Sequence, residues 1–370
     1  MTKRILVLGG YGNFGRFICQ ELATDPNIQL LVAGRSMEKA KAFVETLPAS
    51  GGPSPIQLDV GEGLEQTLLT LQPDIVINTV GPFQNQSYVV PKACINAGSH
   101  YLDLADGREF VANIGDLNSA AISKGVSVVS GASSVPALSA AVIDQFMPRF
   151  IRLESIDYGI STAQHTTRGL ATTQAVLSYA GKPIRTAFGD AEKPVFGWQG
   201  IRAHKFNGLG RRWLSYCDVP DLSLFPERYP SLRSIRFYAG VELAVQQWGV
   251  WILSWLVRAG MVKDLSSWAN PLLKTSFLFD RLGGDESGIF MTLNGRGEHD
   301  TPKSVTFELV ARSGHGPLIP CMPAIVLAKR LAAGKELKAG AYPCVGLISL
   351  DQYLDALKNL DIHWTEGEAA

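Results

Sequence analysis

The sequence lacks the marks of a metal centre, a disulfide scaffold or a nucleic-acid surface. Its only cysteines are Cys19, Cys94, Cys217, Cys321 and Cys344, an odd number, widely scattered and without a C-x-x-C pair. This excludes a disulfide framework and a thiolate zinc site, and predicts reduced, mostly buried thiols with no metal. Neither sign of charge is in excess, with 34 lysines and arginines against 34 aspartates and glutamates. No net field therefore draws the chain to nucleic acid or to an anionic membrane, and a small-molecule partner is expected. Long apolar runs are missing as well. The four apolar residues that follow Lys3 and Arg4 are too few for a signal-peptide core, so a cytoplasmic protein is expected. What the chain has in quantity is apolar residue, 46% of 370. That is more than one core usually accommodates, which predicts two domains.

The most informative stretch is the first turn. Ile5, Leu6, Val7 and Leu8 run into Gly10-Tyr11-Gly12-Asn13-Phe14-Gly15, a G-x-G-x-x-G loop between a strand and a helix. The helix is read from Phe14, Phe17, Ile18 and Leu22 at three- and four-residue spacings, one face that packs on a sheet. Gly10 permits the tight turn, Gly12 lets a pyrophosphate approach the backbone, and Gly15 lets helix and strand pack closely. The helix start offers N–H groups to the anion, so Asn13 and Phe14 join the three glycines as expected cofactor contacts.

A second strand over 29–33 ends in Gly34-Arg35-Ser36. Folds that bind NAD carry an acid near this position for the ribose 2′-hydroxyl, and none is present. Arg35, with Ser36 adding a hydroxyl, suits a 2′-phosphate, which predicts NADP in preference to NAD. The third strand ends at Asp59, expected either beside the adenine or as a helix cap. A fourth strand over 74–78 runs into Thr79-Val80-Gly81-Pro82-Phe83. This loop is expected to pass the nicotinamide, Gly81 and Pro82 giving backbone access and Phe83 an apolar wall. Tyr88 and Lys92 form a Y-x-x-x-K pair, but it follows the fourth strand rather than the fifth, and Pro91 lies inside it. A surface-helix reading is preferred there. The fifth strand over 100–104 supplies Tyr101 and Asp103, followed by Asp106, as candidate proton donors. A sixth strand over 126–130 completes a doubly wound parallel sheet, and turn formers over 130–136 mark the domain exit.

The glycine loop, Asn78-Thr79-Val80-Gly81-Pro82-Phe83, Ala93-Cys94, Gly98-Ser99-His100-Tyr101-Leu102-Asp103 and Ser134-Val135-Pro136 together resemble the saccharopine dehydrogenase-like NADP-dependent oxidoreductases. The match is specific over about the first third of the chain. Relatives commonly carry Gly-Glu shortly after the Tyr-x-Asp, where this chain has Asp106-Gly107-Arg108. That departure weakens transfer of a saccharopine-forming activity. The resemblance implies a Rossmann domain (1–133), an inserted α+β domain on a mainly antiparallel sheet (134–316), and a C-terminal segment (317–370) returning to the first domain.

The middle of the chain has no second glycine fingerprint. Strands are expected over 155–161, 195–206, 234–238, 288–294 and 303–311. His165-Thr166-Thr167-Arg168-Gly169-Leu170-Ala171-Thr172-Thr173 opens a helix whose donors either hold a substrate anion or merely cap it. Arg168 and Thr172 are the expected substrate contacts and His165 a fourth candidate proton donor; Arg202, Arg211 and Arg212 are further anion candidates. The apolar stretch from Val241 to Val262 is interrupted by Glu242, Gln246, Gln247 and Arg258 and falls short of the roughly twenty residues of a membrane span. It is read as a buried or homodimer-interface helix, with attachment to a bilayer surface as the alternative. Near the end, Ser349 and Gln352 form a capping box for a helix with Leu350, Tyr353, Leu354 and Leu357 on one face, and the tail after Trp364 is expected to be loose. The functional expectation is NADPH-dependent hydride transfer at a C=N or C=O carbon of a small molecule. Two alternatives stay open, a non-catalytic NADPH sensor or scaffold and a membrane-associated, lipid-directed reductase.

Overall fold

The computed structural model describes residues 2–49, 52–166, 168–188 and 191–369; Thr167 of the expected donor cluster lies outside them. The elements run β1 (Lys3–Leu8), α1 (Asn13–Leu22), β2 (Ile28–Gly34), α2 (Met37–Val44), β3 (Ser54–Gln57), α3 (Leu64–Leu71), β4 (Ile75–Asn78), α4 (Val89–Ala97) and β5 (His100–Asp103). Then come α5 (Arg108–Ala112), α6 (Asn118–Ser123), β6 (Ser127–Ser130), α7 (Ser139–Phe146), β7 (Arg152–Thr162), α8 (Leu170–Ser178), β8 (Pro183–Phe188), β9 (Ala191–Phe196), β10 (Arg202–Phe206) and β11 (Gly210–Tyr216). The chain ends with α9 (Asp221–Arg228), β12 (Ser234–Val241), α10 (Ala244–Arg258), α11 (Ala269–Phe277), β13 (Ser287–Arg296), β14 (Pro302–Ala311), α12 (Met322–Ala332), β15 (Gly340–Pro343), α13 (Leu350–Leu357) and β16 (Ile362–Ala369).

The chain divides into two units, the first comprising Met1–Leu138 and Leu318–Ile348. Its sheet has the order β15-β6-β5-β4-β1-β2-β3, and every pairing is parallel. Ile5, Leu6, Val7 and Leu8 of β1 are at most 1% exposed, and all of β4 is buried. Strands apolar on both faces are what a parallel sheet covered by helices on both sides requires. The seventh strand, β15, comes from the C-terminal part of the chain and pairs with β6. α12, with eight of its eleven residues buried, packs against α1, β4 and β5. Strand order reverses between β1 and β4, and loops at that edge form the switch point.

The second unit comprises Ser139–Pro317 and Ser349–Ala370. Its sheet follows the path β10-β11-β12-β7-β13-β14-β16, with β8 attached to β12 and β9 to β8. The pairings are antiparallel except β12 with β7. Alternating burial, as along β10 and β12, reflects one face packed and one open. The fold class is therefore the one expected, with three local corrections. The single strand read over 195–206 is two, because Trp198 adopts φ 60° and Gly200 φ 62°, which turns the chain between β9 and β10. The tail is not loose, since β16 pairs with β14 along its whole length. The segment 317–370 also divides: α12 and β15 join the first unit, whereas α13 and β16 join the second. The Ser349–Gln352 capping box forms as read.

Candidate functional site

In the first unit the glycine loop sits at the end of β1, beside the loop that leaves β4. Gly9 has φ 74°, and a Cβ there would stand 2.7 Å from Thr79 Oγ1. Thr79 in turn donates its hydroxyl to the Leu8 carbonyl at 2.8 Å, stitching the two loops together. A Cβ on Gly15 would lie 2.2 Å from the Gly9 carbonyl oxygen. That backbone cannot yield, so glycine is required for α1 to start against the loop. Gly12 is different: within 4 Å an added Cβ would meet only the Gly9 carbonyl, so its other side is open. Gly12 is the N-cap of α1, and no side-chain oxygen caps that helix. Open backbone at the mouth of a helix N-terminus fits the pyrophosphate of a dinucleotide.

The loop after β4 is fixed from below. Asn78, 1% exposed, accepts the Val80 N–H at 3.0 Å and donates to the Tyr101 hydroxyl at 3.2 Å. Tyr101 is fully buried, and burial next to Asp103 drives its pKa well above that of an ordinary phenol. In this position it supports, through Asn78, the loop that leaves β4. Phe83, expected as a wall, is buried and packs on Phe110 with ring centroids 5.4 Å apart; Gly81 and Pro82 keep the partly exposed side of the loop. The Gln86 amide straps the turn by donating to the Pro82 carbonyl at 2.6 Å.

Asp103 is also structural. One carboxylate oxygen accepts from Gly131 N at 2.7 Å, Ala105 N at 2.9 Å and Ser130 Oγ at 3.0 Å. Burial raises its pKa to about 6 against the pull of those donors. Asp106 differs in being partly exposed. It accepts from Gln84 Nε2 at 3.1 Å, and desolvation raises its pKa above the usual carboxylate value. Gln84 directly follows the 78–83 loop, so among the first unit's proton-donor candidates only Asp106 combines that position with access to solvent.

At the end of β2, Arg35 is exposed. Ser36 caps α2 by accepting the Lys39 N–H at 3.2 Å, so its hydroxyl already has a structural partner. Asp59 is exposed and accepts the Gly61 N–H at 3.0 Å, which makes it a turn-former. Pro91 falls in the first turn of α4, the Tyr88 hydroxyl donates to the Phe110 carbonyl at 2.8 Å, and Lys92 is exposed on the helix surface.

In the second unit, Arg168 ion-pairs with Asp280, donates to Ser276 Oγ at 2.9 Å and lies 4.5 Å over the Phe277 ring. Its charge is matched there, which removes the reason for expecting it to anchor a substrate anion. The Arg168 guanidinium, first among several causes, holds the Asp280 carboxyl below its ordinary pKa. His165 places Nε2 2.7 Å from the Asp280 carbonyl, so that nitrogen is engaged too. Thr172 is exposed on α8. Arg212 is paired with Glu242 at 3.4 Å, and Arg202 stacks 4.8 Å from the Tyr238 ring centre. Two residues near the β2 end, Tyr11 and Lys39, did not emerge from the sequence as site residues. Their signal was an aromatic between two loop glycines and a lysine in the first turn of α2.

Residues 5–129 match the model of the saccharopine dehydrogenase NADP binding domain. The chain is 29% identical over 152 residues to the human saccharopine dehydrogenase-like oxidoreductase, a match covering 36% of this chain and 35% of that protein. It is 28% identical over 115 residues to a trans-acting enoyl reductase of Mycobacterium bovis, covering 30% of this chain and 28% of the relative. These alignments thus span about a third of the curated relatives' length. Among solved structures, saccharopine dehydrogenase (L-Glu forming) from Saccharomyces cerevisiae superposes with a TM-score of 0.67 at 14% identity, covering 100% of both chains, which establishes likeness of fold. Residues 5–129 are thus similar to a saccharopine dehydrogenase NADP binding domain.

Proposed function

We propose that the protein is an NADPH-dependent oxidoreductase acting on a C=N or C=O carbon of a small molecule. The observation that carries this reading is the open Gly12 cradle stitched to the 78–83 loop at the switch point, in a domain of NADP-binding type. When bound, the nicotinamide supplies or accepts the hydride. The chain's own residues do the rest. Gly12 and the start of α1 receive the pyrophosphate, Arg35 meets the 2′-phosphate, and the Asn78–Tyr101 pair holds the loop that lines the ring's place. Asp106 stores the proton that accompanies hydride addition; its raised pKa keeps the carboxyl protonated to higher pH than an exposed aspartate.

The test is consumption of NADPH, followed by nicotinamide absorbance, against a panel of imines, ketones and aldehydes. Asp106→Asn should lower kcat by about a hundredfold with NADPH affinity unchanged, the size of a lost general acid. Full activity in that variant would remove Asp106 from the mechanism. A non-catalytic NADPH-binding role is the second reading, favoured by the structural engagement of Tyr101 and Asp103. It predicts tight NADPH binding with no turnover of any panel member.

We also infer that the second unit pairs with a second copy of the chain. α10 is turned inside out: Gln247 and Ser254 are fully buried, whereas Val245, Ile252 and Trp255 are 58%, 57% and 42% exposed. Among the described residues, eight of the fourteen exposed large hydrophobics fall between 245 and 282. Exposed apolar side chains gathered along one stretch in this way suit an interaction surface.

A further inference from the structure

We propose that Tyr11, flanked by Arg16 and Lys39, forms with Arg35 the seat for the 2′-phosphate of NADP, so that a residue of the glycine loop itself reads the cofactor's phosphate. This rests on the reading that the first unit binds a dinucleotide, and it names a specificity-determining residue for that site.

Tyr11 leaves the loop between Gly10 and Gly12 and lies across the last residue of β2. A Cβ on Gly34 would stand 2.3 Å from Tyr11 Cε1 and 2.6 Å from its hydroxyl oxygen. Gly34 is therefore the residue that lets the ring lie flat on the strand end. The hydroxyl accepts the Ser36 N–H at 2.9 Å, which fixes it at the turn that carries Arg35. A phenolic hydroxyl that accepts one hydrogen bond keeps its own hydrogen to donate. Ser36 Oγ, which accepts the Lys39 N–H in capping α2, keeps its hydrogen in the same way, so the turn carries two neutral hydroxyl donors, and Tyr11 is the one supplied by the glycine loop.

Beside the ring runs a recess of about 550 Å³ whose polar lining is Tyr11, Arg16, Gln20, Lys39 and Thr46. It holds two cationic side chains and no carboxylate. Arg16 is steadied by Phe43, with its guanidinium carbon 5.5 Å from the ring centre. Arg16 and Lys39 line the recess with Tyr11, and Arg35 is exposed on the adjoining turn at the end of β2. A phosphate monoester has the charge and the acceptor oxygens to use all of them, whereas a ribose 2′-hydroxyl does not. The seat therefore rewards NADP and is indifferent to NAD.

The test is calorimetric titration of wild type, Tyr11→Phe and Gly34→Ala with NADPH, NADH and 2′,5′-ADP, alongside melting temperatures. Tyr11→Phe keeps the ring and removes only the hydroxyl. It should weaken NADPH and 2′,5′-ADP about tenfold and leave NADH within about twofold, the scale of one hydrogen bond to a charged group. The Ser36 N–H bond lost with the hydroxyl should lower the melting temperature by no more than about 4 °C, so a loss confined to NADPH and 2′,5′-ADP reports recognition rather than unfolding. Gly34→Ala, by pushing the ring aside, should produce the same selective loss. A Tyr11→Phe protein that keeps the wild-type ratio of NADPH to NADH affinity overturns the seat while leaving the proposed function standing. Wild-type protein that binds neither dinucleotide overturns that function, and the seat with it.

Discussion

Asp221 shows how a single buried group sets behaviour beyond the site. It is fully buried on α9 and accepts the Ser139 hydroxyl at 2.6 Å and the Tyr158 hydroxyl at 2.8 Å through one oxygen. Its other oxygen has no hydrogen-bond partner among the described residues. Burial lifts its pKa from 3.8 to about 7, against the opposing pull of the two hydroxyls. The folded state therefore keeps a proton over that window which the unfolded chain releases, and stability falls as pH rises through it and levels off above. Asp221→Asn should remove this part of the pH dependence. Melting temperatures between pH 5 and pH 8 should fall less in the variant than in wild type, and parallel curves would refute the assignment. The same principle explains what was illegible at this scale. Tyr101 and Asp103 read as proton donors because they stand at a strand end. Every residue of β5 from Tyr101 onward is buried, and no polar alternation reveals that both side chains serve the interior.

At the scale of elements, periodicity found the strands and helices of the first unit because glycine and capping residues punctuate them. It failed where polarity and burial part company. β16 carries Glu366 and Glu368, which read as a solvated tail, yet they pair with Arg149 and Lys303. A charged strand at a sheet edge is an ordinary device against further pairing. In α10, a helix as read, polarity and burial part company in the opposite sense. Gln247 and Ser254 lie seven residues apart on one face, and that face points inward, Gln247 donating to Ser215 Oγ at 2.9 Å and accepting the Val241 N–H at 3.1 Å. The tryptophans beside it form a chain of edge contacts through Trp213, Trp248, Trp251 and Trp255. If a second copy covers the outward side, sedimentation should give a dimer, and Ile252→Glu should shift it to monomer without loss of NADPH binding. A monomeric wild-type protein would contradict this. Among the described residues no helix is long and apolar enough to cross a membrane.

At the scale of the whole molecule, the parallel sheet of the first unit was legible in its apolar strands, and the mainly antiparallel sheet of the second was what the family resemblance implied. The cofactor loop was legible for a further reason: Gly15 is dictated by its close approach to the Gly9 backbone, and Gly12 stands open at the start of α1. The substrate contacts were not. Arg168 carries the charge an anion site needs, and only the fold shows that Asp280 already answers it. The account therefore stands or falls on the first unit's choice of dinucleotide. The direct measurement is the dissociation constant of NADPH against that of NADH, for wild type and Arg35→Ala. A charge-assisted contact of about 1.5–3 kcal/mol predicts that wild type binds NADPH roughly ten- to a hundredfold more tightly, and that Arg35→Ala loses most of that preference. Equal affinities in wild type, or binding of neither cofactor, would contradict it.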